Sequence, residues 1–428
     1  MNRFLRTIKT FWILSMLLVG LAGTACYVMA AELLPYQDPS QPEGRRVADL
    51  LGRMTLEEKF SQMGHSAPAI DRLGIAAHNW WNEGLHGVLT GGITVFPQAI
   101  GMASTWNPEL IHEVATAISD EARVKHMQGA VGLTFWSPVI NIGRDPRWGR
   151  TEEAYGEDVY LTSRIAVAFV KGFQGDDPRY LKLVSTPKHF AANNEEYRRT
   201  FGSSTVEERS LREYYFPAFK TCITEAGAQS VMSAYNGLNG VPCTGNEWLL
   251  TEVLRKEWGF DGYVVSDCDA VGLIRDGHHY VATHAEAAAM ALKAGCDLNC
   301  GATYQTSLHE ALAQGLITEA DLDRALGRLM AARFRLGMFD PPELVPYTRI
   351  SPDVVGSKEH VELARETARQ SIVLLKNDSL PATGKPLLPL DPKKLKSVAV
   401  LGPNAAVCRF GGYTGSPLNP PVSPLEGI

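Results

Sequence analysis

Asp267 closes an apolar, β-branched run, Gly259-Phe260-Asp261-Gly262-Tyr263-Val264-Val265-Ser266-Asp267-Cys268-Asp269-Ala270. Residues 263–265 predict a buried strand, and that strand delivers the Asp267 carboxylate at its C-terminal end. In a parallel β/α barrel this end is the catalytic face. A carboxylate fixed there can attack an electrophilic carbon, the role one acidic residue plays in a retaining glycosidase. Ser-Asp alone does not carry that reading, so other segments must supply a sugar-sized polar surrounding.

Four further segments set polar, aromatic and charged residues beside apolar runs. His78-Asn79-Trp80-Trp81-Asn82-Glu83-Gly84-Leu85-His86-Gly87 offers rings to stack on sugar C–H faces and a carboxylate, Glu83, to accept hydroxyl hydrogen bonds. The bland alternative is a buried aromatic cluster with an ion-paired Glu83; a metal site from His78, Glu83 and His86 is disfavoured. Residues 143–153 place Arg144, Arg147 and Arg150 beside acids, by default an ion-pair network. Pro187-Lys188-His189-Phe190, continuing to Arg198-Arg199, puts two adjacent donors after a strand. Val231-Met232-Ser233-Ala234-Tyr235-Asn236 ends another strand with a phenol. Each segment alone reads as structural. At successive strand ends they describe a concave hydroxyl-binding site with a carboxylate inside.

Arg-Asp-Pro-Arg-Trp-Gly-Arg at 144–150, Lys-His-Phe at 188–190 and Val-Val-Ser-Asp-Cys-Asp at 264–269, in this order, resemble glycoside hydrolase family 3, in its β-xylosidase-like branch, over residues 33–428. The resemblance implies a TIM-type (β/α)8 barrel followed by the beginning of an α/β sandwich domain. It implies Asp267 as nucleophile and Lys188, His189 and Arg150 as holders of sugar hydroxyls in the −1 subsite. Arg199 and Tyr235 match supporting residues, and Met232 joins the substrate-binding set. Glu83 stands where glucosidase-type members place Asp, and the longer side chain would crowd a hexose hydroxymethyl. Cys268 stands where glucosidases commonly carry Trp.

The implied activity is exo-acting, retaining β-1,4-xylosidase action on xylo-oligosaccharides through a covalent glycosyl-enzyme on Asp267. Lys188 and the arginines would favour the ionised carboxylate. Alternatives are β-glucosidase, α-L-arabinofuranosidase or a non-catalytic sugar-binding remnant. No cofactor and no metal are expected. The acid/base of two-domain members resembles a Glu well past the first strand of the second domain, and single-domain N-acetylglucosaminidase members use an Asp-His pair after Lys-His-Phe-Pro-Gly. Here Lys188-His189-Phe190 continues Ala-Ala-Asn-Asn-Glu, so Glu152, Glu195, Glu196 and Asp269 are nearby carboxylates without a nominated role. The sequence therefore reads as an impaired, truncated enzyme.

The elements that must position these residues follow from the pattern. The chain has 428 residues, 45% hydrophobic and 21% charged, enough for two domains of ordinary globular composition. Its 41 basic and 47 acidic residues give a net charge of −6 without long blocks, which argues against nucleic acid or an anionic membrane as partner. Apolar runs at 131–135, 183–186, 229–233, 262–265 and 295–298 predict strands. Helical patterns cover 48–63, 108–127, 158–174, 207–225, 285–293 and 320–336. Alternation of this kind implies parallel strands and crossover helices.

The predicted organisation is a signal peptide over 1–31, a catalytic barrel over 32–340, a proline-rich linker over 341–356 and an incomplete second domain over 357–428, with a helix from 357 and a strand at 397–401. Arg3, Arg6 and Lys9 precede an apolar run at 11–22 too short for a typical membrane span. Export to the periplasm or outside is expected, with Cys26 after Gly-Thr-Ala as an alternative lipoprotein acceptor. Six other cysteines allow fifteen pairings, and zinc is disfavoured by their spacing. Cys268 and Cys300 both lie just past predicted strand ends, positions compatible with a bridge across the barrel mouth, and the pairing stays open.

Overall fold

Two of the predicted apolar runs form the longest strands among the described residues. Ser230–Ser233 and Tyr263–Ser266 pair in parallel, Val231 opposite Val264 and Met232 opposite Val265, and every residue of both is buried. Strands covered on both faces need no polar alternation. The computed structural model describes residues 33–428, so the predicted signal segment and Cys26 lie outside the described residues. Thr134–Phe135 and Val184–Ser185 form a second parallel pair. Parallel bridges join Val139 to Lys188, Phe190 to Ser233, Val265 to Leu298 and Gly64 to Asn299. The Trp80 N–H donates to His65 O and the Trp136 N–H to Asn82 O, both at 2.8 Å. Residues 295–298, predicted as a strand, make only the bridge at Leu298.

Two strand pairs among the described residues depart from the all-parallel expectation. Gly237–Leu238 and Val241–Pro242 run antiparallel, as do Ser66–Ala67 and His78–Asn79. The ten residues 68–77 between the latter two are too few for a helical crossover, which takes a dozen or more.

Helices alternate with the strands, giving an α/β chain. Pro108–Met127, Val159–Gln174, His284–Ala294 and Glu319–Arg335 lie close to the predicted ranges. Asn107, Asp158, Thr283 and Thr318 each accept a backbone N–H in the first turn that follows them. Two predicted helices are interrupted. The 48–63 pattern splits into Glu43–Arg53 and Leu56–Ser61, because Met54 is extended and Thr55 opens a capping box with Glu58. The 207–225 pattern contains a π-helical turn, Leu211–Tyr215, before Pro217–Thr224; Pro217 has no N–H to continue the ladder.

Beyond the linker, helix Lys358–Ser371 forms, but the strand predicted at 397–401 does not. Leu375 is 91% and Leu401 88% exposed, since this stretch meets no apolar surface that could bury it. Residues 411–418 instead return to the first part of the chain. Ser416–Pro417 pairs in parallel with Gly91–Ile93, and Gly415 passes so close that a Cβ would collide with the carbonyls of Val88 and Thr90.

Buried Glu121 fastens this junction. It accepts from Thr94 N (2.8 Å), Thr94 Oγ1 (2.6 Å), Gly356 N (3.0 Å) and His360 Nδ1 (2.8 Å). Burial pushes its carboxyl up, but the bonds from His360 and Thr94 prevail and hold it below the usual range. A lowered folded-state value means the stabilisation is complete above the unfolded value near 4.5 and is lost as pH falls through the folded one. Glu121→Ala should cost about 3 kcal/mol by orphaning buried donors. Urea unfolding at neutral pH checks the loss, and the gap from wild type should narrow on acidification.

Candidate active site

Asp267 emerges from its strand with its N–H on Ser233 O (3.3 Å) and its side chain buried. Oδ1 accepts the Cys268 N–H at 2.8 Å, and Oδ2 has no hydrogen-bond partner among the described residues. Burial pushes the carboxyl above its ordinary value, against the opposing charges of Lys188, Arg150 and Arg199. The expected positive potential is present, yet burial outweighs it.

The neighbouring strand end supplies Lys188 and His189, joined by a cis peptide. The Lys188 ammonium is buried in an ion pair with Glu83 Oε1, and Ser137 Oγ donates to Glu83 Oε2 at 3.1 Å. Burial opposes the Lys188 charge, but Glu83 holds it protonated. Burial likewise pushes the Glu83 carboxyl up, and Lys188 resists.

His189 is fixed from three sides. Its Nδ1–H donates to Asn141 Oδ1 (2.9 Å), which also accepts the His189 N–H (2.8 Å). Its Nε2 accepts from Arg150 Nη1 (3.1 Å) and lies 3.7 Å from Asp267 Oδ2. Burial, then the charges of Arg150, Lys188 and Arg199, push the imidazole well below its usual range. The ring is therefore neutral with Nε2 as an acceptor, so Lys188 and His189 are not the paired donors that their adjacency suggested.

Arg150 completes the link through a bidentate pair with Glu153, Nε–Oε1 2.8 Å and Nη2–Oε2 2.6 Å. Arg199 lies 4.7 Å from the centroid of the Tyr235 ring and pairs with Glu196 at 2.7 Å. Glu196 also accepts from Trp148 Nε1 at 3.0 Å. Burial and the negative charge of Asp267 push the Tyr235 phenol up, which places Tyr235 within electrostatic reach of Asp267. Met232 is buried in its strand, and its backbone bonds Pro187 and Phe190 (3.1 and 2.8 Å), so its demonstrated part is to set the Lys188 and His189 segment.

The structure thus gathers Asp267, His189, Arg150, Lys188 and Glu83, with Arg199 and Tyr235 alongside. Other expectations change. Trp80 is fully buried and edge-on to Tyr263 (5.1 Å), a core residue, whereas Trp81 is 40% exposed. His86 bonds Phe96 O (2.8 Å) and Thr414 Oγ1 (3.0 Å), while the His78 imidazole is pushed far down by burial. These histidines and Glu83 serve separate neighbourhoods. No group of three or more His, Cys, Asp or Glu among the described residues is placed to hold a metal ion.

Three contributors had little sequence signal. Glu153 sits three residues after Arg150, a spacing that could have nominated it. Asn141 and Tyr413 carried no such mark. Tyr413 lies 4.6 Å from Lys188 Nζ and 5.9 Å from the Arg150 guanidinium, brought there by the returning segment. That segment is held by Gly412 N to Glu152 Oε1 (2.9 Å) and Gln98 Nε2 to Gly412 O (3.0 Å). Cys268 and Cys300 form a disulfide, Cα atoms 4.4 Å apart.

Comparison with known proteins gives this geometry its context. A probable beta-D-xylosidase 7 of Arabidopsis thaliana is 41% identical over 413 residues, covering 90% of this chain and 53% of that protein. A xylan 1,4-beta-xylosidase of Xylanibacter ruminicola is 41% identical over 416 residues, 93% of this chain and 47% of its own. A solved GH3 exo-beta-xylosidase (XlnD), in complex with a xylobiose aziridine activity based probe, superposes with a TM-score of 0.86 at 35% identity, over 92% of this chain and 52% of that one. The chain spans about half the length of the relatives it matches. The model of the glycosyl hydrolase family 3 N terminal domain matches residues 55–332, and the chain belongs to that family.

Proposed function

We propose that this chain carries the sugar-binding and nucleophilic half of a retaining exo-β-xylosidase, with Asp267 as the nucleophile. The observation that carries the reading is the bare, buried Oδ2 of Asp267 beside cations that already have partners. Oδ2 would form a bond to the anomeric carbon as the bond to the leaving oxygen breaks, and water would later release the sugar with net retention. Lys188 with Glu83, Arg150 with Glu153 and Arg199 with Glu196 each balance, and His189 is neutral. The surplus charge is that of Asp267, which suits a transition state with positive charge developing on the sugar.

The backbone hydrogen bonds linking segments 63–65, 80–82, 134–139, 184–190, 230–234, 263–267 and 298–299 support a barrel as the scaffold. Lys188 would donate to a sugar hydroxyl, and Glu83 would accept. Matched relatives named xylosidases support xylose as the sugar. A relative of Medicago sativa subsp. varia named beta-xylosidase/alpha-L-arabinofuranosidase 2, 42% identical over 405 residues, supports arabinofuranosides as a second substrate.

Three of the four surrounding carboxylates, Glu152, Glu195 and Glu196, are engaged. Glu195 pairs with Arg198 at 2.9 Å, which holds it below its usual range, and Glu152 accepts the Gly412 N–H. A leaving group that needs no proton is therefore the appropriate probe. Incubation with 2,4-dinitrophenyl 2-deoxy-2-fluoro-β-D-xyloside should add one fluoroxylosyl group at Asp267, read by peptide mass spectrometry, and Asp267→Asn should abolish it. Label on any other residue overturns the assignment. Because the reactive form is the carboxylate, labelling should fade as pH falls, at a higher pH than an ordinary Asp with a value of 3.8 would give.

Glu83→Asp retracts the carboxylate by one methylene. Its ratio of fluoroxyloside to fluoroglucoside labelling should fall about tenfold. An unchanged ratio would remove crowding by Glu83 as the source of pentose preference.

A further inference from the structure

The loop that begins at Asp267 and the loop that begins at Asn299 are bound to each other more tightly than packing requires. The Asp269 N–H donates to Cys300 O (2.7 Å), and the Cys300 N–H donates to Ser266 Oγ (3.0 Å). Ser266 Oγ in turn donates to Asn299 Oδ1 at 3.2 Å. Gly301, at φ +118°, lies where any Cβ would strike Asp269 Oδ1. The Cys268–Cys300 disulfide spans the same gap covalently. Between these ties, Asp269 is held at φ 64°, a left-handed conformation that non-glycine residues seldom adopt.

The peptide between Asp267 and Cys268 lies inside this frame, and its N–H is the hydrogen bond that orients the Asp267 carboxylate. We propose that the Cys268–Cys300 disulfide is a positioning element for the reaction. It keeps the Cys268 N–H on Asp267 Oδ1 and so aims Oδ2, and its reduction slows attack by Asp267 without loosening sugar binding. The inference rests on Asp267 being the nucleophile. Once the bridge opens, the strained turn at Asp269 is free to relax and carries the adjoining peptide with it. The side chains proposed to hold the sugar, Glu83, Arg150 and Lys188, lie on other segments and are paired there with one another, Ser137 or Glu153. Orientation of the nucleophile and affinity for the sugar are therefore separable, and small misplacements of a reacting group can cost up to about a hundredfold in rate.

Cys268 is partly exposed, and a small dithiol is the reductant. Exchange converts the bridge to two protein thiols while the dithiol closes to its own disulfide, and both electrons and both protons come from the dithiol. Cys222, Cys243, Cys296 and Cys408 are already free thiols, so among the described residues reduction acts on this bond alone.

The test measures labelling by the dinitrophenyl fluoroxyloside on the oxidised chain, on the chain reduced with dithiothreitol, and after reoxidation. The maximal rate kinact should fall at least tenfold on reduction, with KI within twofold, and should recover on reoxidation. A thiol count two higher confirms opening, and circular dichroism confirms that the fold persists. Cys268→Ser/Cys300→Ser should behave as the reduced protein does. Equal kinact in both redox forms, or a loss confined to KI, overturns the positioning role alone. Failure to label Asp267 in the oxidised protein overturns the nucleophile assignment and this inference with it.

Discussion

Charge buried at the strand ends must be compensated locally, and this requirement shapes the site. An uncompensated buried partner costs about 3–5 kcal/mol, so each cation arrives with its own carboxylate. Buried Lys188 has Glu83 and buried Arg150 has Glu153, while Arg199, which is part-exposed, pairs with Glu196. The pairs also fix direction. Arg150, gripped in two places by Glu153, has one remaining nitrogen for His189 Nε2, and burial together with that contact makes the imidazole a neutral acceptor. Asp267 is left as the carboxylate without a cation of its own. Burial raises its pKa against the surrounding cations, and the same buried setting leaves Oδ2 without a hydrogen-bond partner among the described residues.

Compensation at this density needs side chains from segments far apart in the chain. Glu83, Arg150, Lys188 and Asp267 come from four strand-end loops, and Tyr413 comes from a segment beyond the linker. The returning segment is held by backbone contacts that tolerate no bulk, including Gly415 against Val88 and Thr90. Glu121 ties Gly356 and His360 to Thr94, at the end of the strand that receives residues 416–417. Linker, helix and returning segment therefore bear on the same edge, and Tyr413 over Lys188 is the outcome of that arrangement.

What could be read from sequence follows from the range of each interaction. The strands at 230–233 and 263–266 were legible because full burial demands continuous apolar runs, and the Asp267 position followed from the strand's direction. Long helices with side-chain caps were legible for the same local reason. The breaks at Met54 and at 211–217 carried local marks, Thr-x-x-Glu and Pro217, which the apolar periodicity overrode. The strand predicted at 397–401 failed because a β-branched run becomes a strand only when a partner edge is present. Residue roles were least legible where tertiary neighbours decide them. Trp80 and Trp81 are adjacent and identical in type, yet one is core and the other partly exposed. His189 looked like a donor until Arg150 and Asn141 were seen to occupy both ring nitrogens.

Glu83 shows why specificity and stability are hard to separate here. Read as sequence, it is a longer side chain that takes up hexose space. In the structure it is also the counter-charge of a fully buried lysine and an acceptor for Ser137. A shorter carboxylate at this position would open room for a hydroxymethyl group only if Lys188 followed it, and Lys188 is covered by Tyr413. On the proposed function, the space for the sugar is set by the length of an ion pair, so sugar size and charge compensation are adjusted together.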